Sequence, residues 1–150
     1  MIHGHSRHQG PLGAQVSASK AIEHWKPEVL IAVGIAFGVE EEKHHIGDVL
    51  VSTGVLDYES ARVERDGTFT PRGETLATSQ ELADRVSDLK LRRAEVRDLP
   101  TIHMGTIVSG AKLVDNKEYR DNLASLHSTV IGGEMEGSGI LTACKEKRWM

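Results

Sequence analysis

The sequence feature that most constrains the fold is an uncharged run over residues 29–36, Val-Leu-Ile-Ala-Val-Gly-Ile-Ala. A strand that is buried on both faces of a parallel sheet has this composition, because helices cover both faces and leave no solvated side. Gly38 follows closely and marks a turn. The run therefore predicts a central strand over 29–36 in a sheet that contains parallel pairs.

Helical and strand patterns alternate along the rest of the chain. The spacing of apolar residues predicts helices over 14–25, 78–92 and 117–126, and strands over 48–55, 101–109 and 128–131. Asp66-Gly67 between short β-branched stretches predicts a hairpin within 62–70. The alternation predicts a single α/β domain over 1–150, a three-layer αβα arrangement with a mixed, largely parallel central sheet.

Composition excludes two classes of partner. The chain has 150 residues and 22 acidic against 18 basic ones, and the basic residues do not gather into the stripe that binds nucleic acid. No apolar run approaches the roughly 20 residues that cross a bilayer, so a membrane partner is not expected. A single cysteine, Cys144, fits a reducing compartment, and we expect a cytoplasmic protein.

Ligands of open α/β sheets bind beyond the carboxyl ends of the strands, so the turns that leave the strands are the candidate sites. Three turns stand out: Gly-Ile-Ala-Phe-Gly at 34–38, Ser-Gly at 109–110, and Gly-Gly-Glu-Met-Glu-Gly at 132–137. Each also has a purely structural interpretation, as a tight turn or as carboxylates that complement a helix dipole. A fourth segment, Asp57-Tyr58-Glu59 at the end of a predicted strand, is expected to be a solvated loop, with a gating role as the alternative.

The turn at 132–137 is the most unusual of these. Gly132-Gly133 predicts the opening of a last helix, from Glu134 to about Lys147. Residues two apart on a helix point about 200° apart, so Glu134 and Glu136 are expected to face different surroundings.

Four motifs in this order resemble the nucleoside phosphorylase and nucleosidase superfamily, which includes purine nucleoside phosphorylases and methylthioadenosine/S-adenosylhomocysteine nucleosidases. They are the turn at 34–38, Ile-Gly-Asp-Val-Leu-Val-Ser at 46–52, Gly-Thr-Ile-Val-Ser-Gly at 105–110 and Gly-Glu-Met-Glu-Gly at 133–137. The resemblance extends over roughly residues 4–150, and it implies the fold class given above.

The resemblance also implies a ribose site. Glu136 would accept hydrogen bonds from the ribose hydroxyls, Met135 would pack on the sugar, and Glu134 would be a second contributor. A carboxylate accepts from two vicinal hydroxyls at once, and negative charge favours the positive charge that develops on the sugar during glycosidic cleavage.

The base site and the reaction type follow from the same resemblance. Ile35, Ala36, Phe37 and Leu113 would surround a purine. Phosphorylases of the family often hold phosphate with an Arg-x-Gly-Ser pattern, and the matching arginine and serine positions are Ala32 and Ile35 here. The resemblance therefore favours hydrolysis over phosphorolysis. Arg7 is a candidate for binding the phosphate of a nucleotide, and a solvated arginine without such a role is the alternative.

The catalytic groups of the family are not matched. Its general acid, an aspartate, is expected beyond Met150, and its water-activating glutamate is expected before Met1. Loss of one such group costs on the order of 10²- to 10⁴-fold in rate, so residues 1–150 alone are expected to be an incomplete domain with weak activity or none.

No metal or cofactor is expected. His3, His5, His8 and the pair His44-His45 have no carboxylate or thiol at ligand spacing. The leading hypothesis is a purine nucleosidase that acts on a small-molecule nucleoside or nucleotide, as a homo-oligomer. A nucleoside phosphorylase and a non-catalytic nucleoside-binding regulatory module are the alternatives.

Overall fold

A computed structural model describes residues 10–59, 61–65, 69–71, 75–93, 96, 99–112, 114 and 116–147. Along these residues the chain forms, in order, α1 (Gly10–Trp25), β1 (Phe37–Gly38), β2 (Val49–Asp57), β3 (Ala61–Val63), β4 (Phe69–Pro71), β5 (Thr75–Ala77), α2 (Gln80–Arg93), β6 (Ile102–Ser109), α3 (Lys117–Ser125), β7 (Val130–Glu134) and α4 (Gly137–Lys147).

The main sheet has the order β1-β7-β6-β2-β5. Its three central strands, β7, β6 and β2, are parallel, whereas β1 and β5 run antiparallel at the two edges. Helices α2 and α4 pack on β2, α3 packs on β7, and α1 packs on α4. The predicted α/β class with a mixed sheet and flanking helices is confirmed.

The core lies along β6 and its neighbours. Strand β6 has five consecutive buried residues at 105–109, as expected for a strand covered on both faces. Val108 packs with Leu56 of β2, Leu123 of α3 and Val130 of β7 in one buried cluster. The predicted strands over 48–55 and 101–109 and the three predicted helices are confirmed to within a few residues.

The hairpin predicted within 62–70 is also confirmed, as β3 paired antiparallel with β4. Its turn residues, Asp66 and Gly67, lie outside the described residues.

The prediction of a buried strand over 29–36 is wrong. These residues form no strand, and the side chains of Val33 and Ile35 are 93% and 98% exposed. Pairing in this part of the chain is confined to Phe37 and Gly38, which face Gly133 and Gly132 of β7. An apolar run makes a strand suitable for burial, but burial also needs neighbouring strands, and residues 29–36 pair with no strand of the described part of the chain.

The predicted start of the last helix at Gly132-Gly133 is wrong as well. Strand β7 continues through both glycines to Glu134, and α4 begins at Gly137. A Cβ atom on Gly132 would overlap the carbonyl oxygen of Phe37 and lie 2.5 Å from Leu50 Cδ1. The glycines are therefore needed for the close approach of β1 to β7, and not for opening a helix.

This close approach predicts a stability difference between two Gly→Ala variants. Gly132→Ala should lower the free energy of unfolding by about 1–3 kcal/mol, because the added methyl group collides with backbone that cannot move without breaking the β1–β7 pairing. Gly34→Ala is the matched control, because a Cβ atom there meets nothing within 4 Å. Urea denaturation of both variants measures the difference, and equal midpoints would contradict this account.

A carboxylate holds the amino ends of β2 and β6 together. Asp48 Oδ2 accepts the backbone N–H of His45 at 2.9 Å and lies 3.0 Å from His103 Nε2, while Oδ1 accepts the backbone N–H of Thr101 at 3.1 Å. The N–H of His45, followed by the contact with His103, lowers the pKa of Asp48 from 3.8 to about 2.

The depressed pKa predicts a pH dependence of stability. Because the folded pKa lies below the ordinary value of 3.8, the contribution of Asp48 is present above about pH 4 and is lost as pH falls toward 2. Asp48→Asn should therefore be less stable than wild type at pH 5, and the gap should narrow steadily from about pH 4 as the pH falls toward 2. Urea midpoints across this range provide the measurement, and a constant gap would refute the role given to Asp48.

Candidate active site

The three parallel strands end together at one edge of the sheet. Asp57 of β2 is in register with Ser109 of β6, and Ser109 is in register with Glu134 of β7. The residues that follow each strand are thus brought side by side, although they lie far apart in the chain. This carboxyl edge carries two of the three turns singled out in the sequence, 109–110 and 132–137.

Glu134 shapes the segment that follows β7. Its Oε2 accepts the backbone N–H groups of Glu136 and Gly137, both at 2.7 Å, so the carboxylate caps the N-terminus of α4. Its Oε1 is buried and has no hydrogen-bond partner among the described residues. A Cβ atom on residue 137 would lie 2.8 Å from this oxygen, which explains the glycine there.

Glu136 points to a different helix. Its Oε1 accepts the backbone N–H of Gly10 at 3.3 Å, and Gly10 is the first residue of α1, with a φ of +83°. The half-buried carboxylate of Glu136 therefore lies at the positive end of the α1 dipole. Met135, also half-buried, lies between the two glutamates. Glu134 and Glu136 do face different surroundings, but helical geometry is not the reason, because β7 ends at Glu134 and α4 begins only at Gly137.

Ser109 connects β6 to the same segment. Its fully buried Oγ accepts the backbone N–H of Ser138 at 3.0 Å and donates to Ser138 Oγ at 3.3 Å. The end of the central strand thus holds the first turn of α4 in place. The Ser-Gly motif marked this position, but nothing in the sequence indicated that Ser138 is its partner.

The expectation of a solvated loop over 57–59 is wrong for Tyr58. Its side chain is only 3% exposed, its ring lies against Gly110, and its hydroxyl contacts the backbone of Lys112. Burial raises the pKa of Tyr58 to about 12. Sequence reasoning missed this residue because its burial comes from the neighbouring strand β6.

The residues expected to surround the base are only partly brought to this edge. Phe37 is half-buried and packs against Gly133, next to Glu134, whereas Ile35 is 98% exposed and Ala36 is also exposed. Leu113 and Arg7 lie outside the described residues. The base-binding and phosphate-binding roles of these residues therefore stay predictions.

The described histidines lie elsewhere. The rings of His44 and His103 meet edge to face at 4.6 Å, near Asp48 and the amino ends of β2 and β6, and burial lowers the pKa of His44. Across the described residues, no group of three His, Cys, Asp or Glu side chains is placed to hold a metal ion. His3, His5 and His8 lie outside those residues. No helix in the described part of the chain is long and apolar enough to cross a membrane.

The capping geometry predicts that Glu134 contributes to stability. Glu134→Ala should lower the free energy of unfolding by about 0.5–2 kcal/mol, because two N–H groups of α4 lose their acceptor. The control is Glu118→Ala, which removes an exposed carboxylate from the first turn of α3. Thermal and urea denaturation measure both variants. If they are equally stable, the capping role of Glu134 is wrong.

Comparison with known proteins agrees with this architecture. A death domain-containing ATP nucleosidase from Amphimedon queenslandica is 31% identical, over 99% of this chain and 32% of its own length. A 5′-methylthioadenosine/S-adenosylhomocysteine nucleosidase from Staphylococcus aureus is 27% identical, over 90% of this chain and 58% of its own length. The chain thus spans about a third of the first relative and less than two thirds of the second.

A solved structure has the same fold. The 5′-methylthioadenosine/S-adenosylhomocysteine nucleosidase from Neisseria meningitidis, in complex with methylthio-immucillin-A, superposes with a TM-score of 0.74 at 22% identity, over 93% of this chain and 60% of that one. The family model described as Phosphorylase superfamily matches residues 2–149. This match covers almost the whole sequence, and the chain belongs to the Phosphorylase superfamily.

Proposed function

We propose that the protein is a purine nucleosidase, which cleaves the N-glycosidic bond of a purine nucleoside or nucleotide with water as the nucleophile. The observation that carries the proposal is the placement of Glu136, a half-buried carboxylate at the carboxyl edge whose backbone N–H is held by Glu134. The nucleosidase relatives from Amphimedon queenslandica and Staphylococcus aureus support the reaction class.

The contacts of Glu136 suit the binding of a sugar. An ionised carboxylate has about four acceptor positions, and the N–H of Gly10 occupies one of them. The remaining positions are enough for two vicinal ribose hydroxyls. Met135, beside Glu136 and half-buried, supplies an apolar surface for the face of the sugar, and negative charge at Glu136 favours the positive charge that develops during cleavage.

The side chains at positions 32 and 35 support water, and not phosphate, as the nucleophile. Binding of a phosphate dianion needs positive charge or several donors, and Ala32 and Ile35 provide neither. The names of the two relatives also describe nucleosidases. For a nucleotide substrate, Arg7 is the residue we propose for the phosphate.

We also propose a cytoplasmic location and a homo-oligomeric assembly. The location is supported by the presence of one cysteine in 150 residues, which allows no internal disulfide. The assembly is supported by the frequency of oligomers in the superfamily that the sequence resembles.

The test is the release of free base by the full-length gene product from adenosine, methylthioadenosine and ATP, measured by chromatography with and without added phosphate. We expect release from at least one of them in phosphate-free buffer. Release that strictly requires phosphate would make the protein a phosphorylase. Binding without any release would favour a regulatory module, and neither binding nor release would overturn the proposal.

The ribose role predicts a specific effect of Glu136→Gln. Glutamine keeps the size of the side chain and a carbonyl acceptor for the N–H of Gly10, but it loses the charge and one hydroxyl acceptor. The value of kcat/KM should fall about 10- to 100-fold, the loss expected for hydrogen bonds to a charged group, while the urea midpoint stays close to that of wild type.

The control lies on α4, in the same part of the chain. Glu146→Gln alters an exposed carboxylate whose contact is a side-chain hydrogen bond from Gln15 at 3.3 Å, so activity should stay within twofold of wild type. A Glu136→Gln protein as active as the Glu146→Gln protein would remove Glu136 from the site.

A further inference from the structure

In the turn at 110–112, which follows β6, each of the three backbone N–H groups donates a hydrogen bond within the protein. The N–H of Gly110 donates to the carbonyl of Glu134 at 3.2 Å, that of Ala111 donates to Glu59 Oε1 at 3.2 Å, and that of Lys112 donates to the Tyr58 hydroxyl at 3.3 Å. Exposed turns usually leave such groups to water. Here one acceptor is the carbonyl of the last residue of β7, and the other two come from the residues that follow β2.

Tyr58 contacts both backbone polar groups of Lys112. Its hydroxyl accepts the N–H of Lys112 and donates to the carbonyl oxygen of the same residue at 3.2 Å, so both capacities of the hydroxyl are used. Its ring lies beneath Gly110, where a Cβ atom would overlap it. With its pKa raised to about 12 by burial, Tyr58 keeps its proton and remains a donor at neutral pH.

Glu59 holds the middle of the turn. Besides accepting the N–H of Ala111, its carboxylate lies 3.2 Å from Lys112 Nζ. The side chain of Lys112 is 61% exposed, so this ion pair adds little, and the hydrogen bond from the backbone of Ala111 to Glu59 matters more. The N–H of Glu59 donates to Asp57 Oδ1 at 2.9 Å, which orients Glu59 at the end of β2.

We propose that Tyr58 and Glu59 are positioning residues that give the turn at 110–112 the shape needed to bind the purine base. This inference rests on the proposed function and on the prediction that Leu113, which follows this turn in the sequence, contacts the purine. A turn already held in its bound shape pays less conformational entropy when ligand binds. The same turn is bound to the carbonyl of Glu134, so the spacing between the base turn and the ribose segment is set as well.

The experiment measures the binding of free adenine and of hypoxanthine by calorimetry, which needs no catalysis. Tyr58→Phe removes one oxygen atom and keeps the ring against Gly110, and the dissociation constant of the better base should rise about tenfold because two hydrogen bonds to the backbone are lost. Hydrogen exchange of the amides at 110–112 should become faster. Where nucleoside turnover is measured, KM should rise while kcat changes less than threefold.

Glu59→Ala is the second variant, and it should weaken base binding even if Tyr58→Phe folds poorly. Its matched control is Glu81→Ala, which breaks another exposed ion pair, Glu81 with Arg85 at 2.7 Å, on α2. The control should bind the base as wild type does.

Three outcomes separate this inference from the proposed function. Base binding and turn exchange that are unchanged in both variants would overturn the inference and leave the nucleosidase proposal standing. Base binding that is weakened as expected, in a protein without hydrolysis, would support the inference and reject the reaction. A wild-type protein that binds neither base would overturn the inference, because no base site would exist.

Discussion

The parallel pairing of β6 with β2 on one side and with β7 on the other is the constraint on which the rest of the structure depends. It aligns Asp57, Ser109 and Glu134 in one row. Because β6 is buried at five consecutive positions, a shift of its register would disrupt the packing on both of its faces as well as misalign the row. Core packing and the geometry of the carboxyl edge are therefore determined by the same interaction.

Glu134 transmits this alignment to the candidate site through two different groups. Its carboxylate holds the N–H groups of Glu136 and Gly137, and its carbonyl holds the N–H of Gly110. Hydrogen bonds to an ionised carboxylate are stronger than those between neutral groups, and these two are short, at 2.7 Å. One residue thus connects the ribose segment to the base turn.

Elements with a strong local pattern could be predicted from the sequence, as for β6 and the three helices that precede α4. The failures have a common cause in tertiary structure. Residues 29–36 have the composition of a buried strand but pair with no described strand, and the glycines of β7 serve close packing against Phe37 where a helix start was expected. In the sequence, a glycine pair that allows close strand packing looks the same as one that precedes a helix. Here the position of β1 against β7 shows that the pair serves strand packing.

In the candidate site, too, residues with a local sequence motif could be predicted, and residues placed by tertiary contacts could not. Met135 and Glu136 could be predicted because they lie within a short sequence motif, and the order of this motif after the others supported the resemblance. Tyr58 and Glu59 belong to no such motif. Their contacts with residues 110–112 arise because Asp57 is in register with Ser109, a residue that lies far from it in the chain. Residues that shape a site through a neighbouring strand are invisible to motif reasoning.

The contacts of Glu136 also limit its part in the proposed reaction. Its Oε1 accepts the N–H of Gly10 at the positive end of α1, an arrangement that suits an acceptor of hydrogen bonds more than a proton donor. In the cleavage of an N-glycosidic bond, a proton supplied to the departing base must then come from a different group. Glu136 would bind the ribose hydroxyls and favour the positive charge that develops on the sugar. Loss of its charge should therefore weaken nucleoside binding and catalysis together. Loss of the proton donor, in contrast, should reduce kcat and leave nucleoside binding largely unchanged.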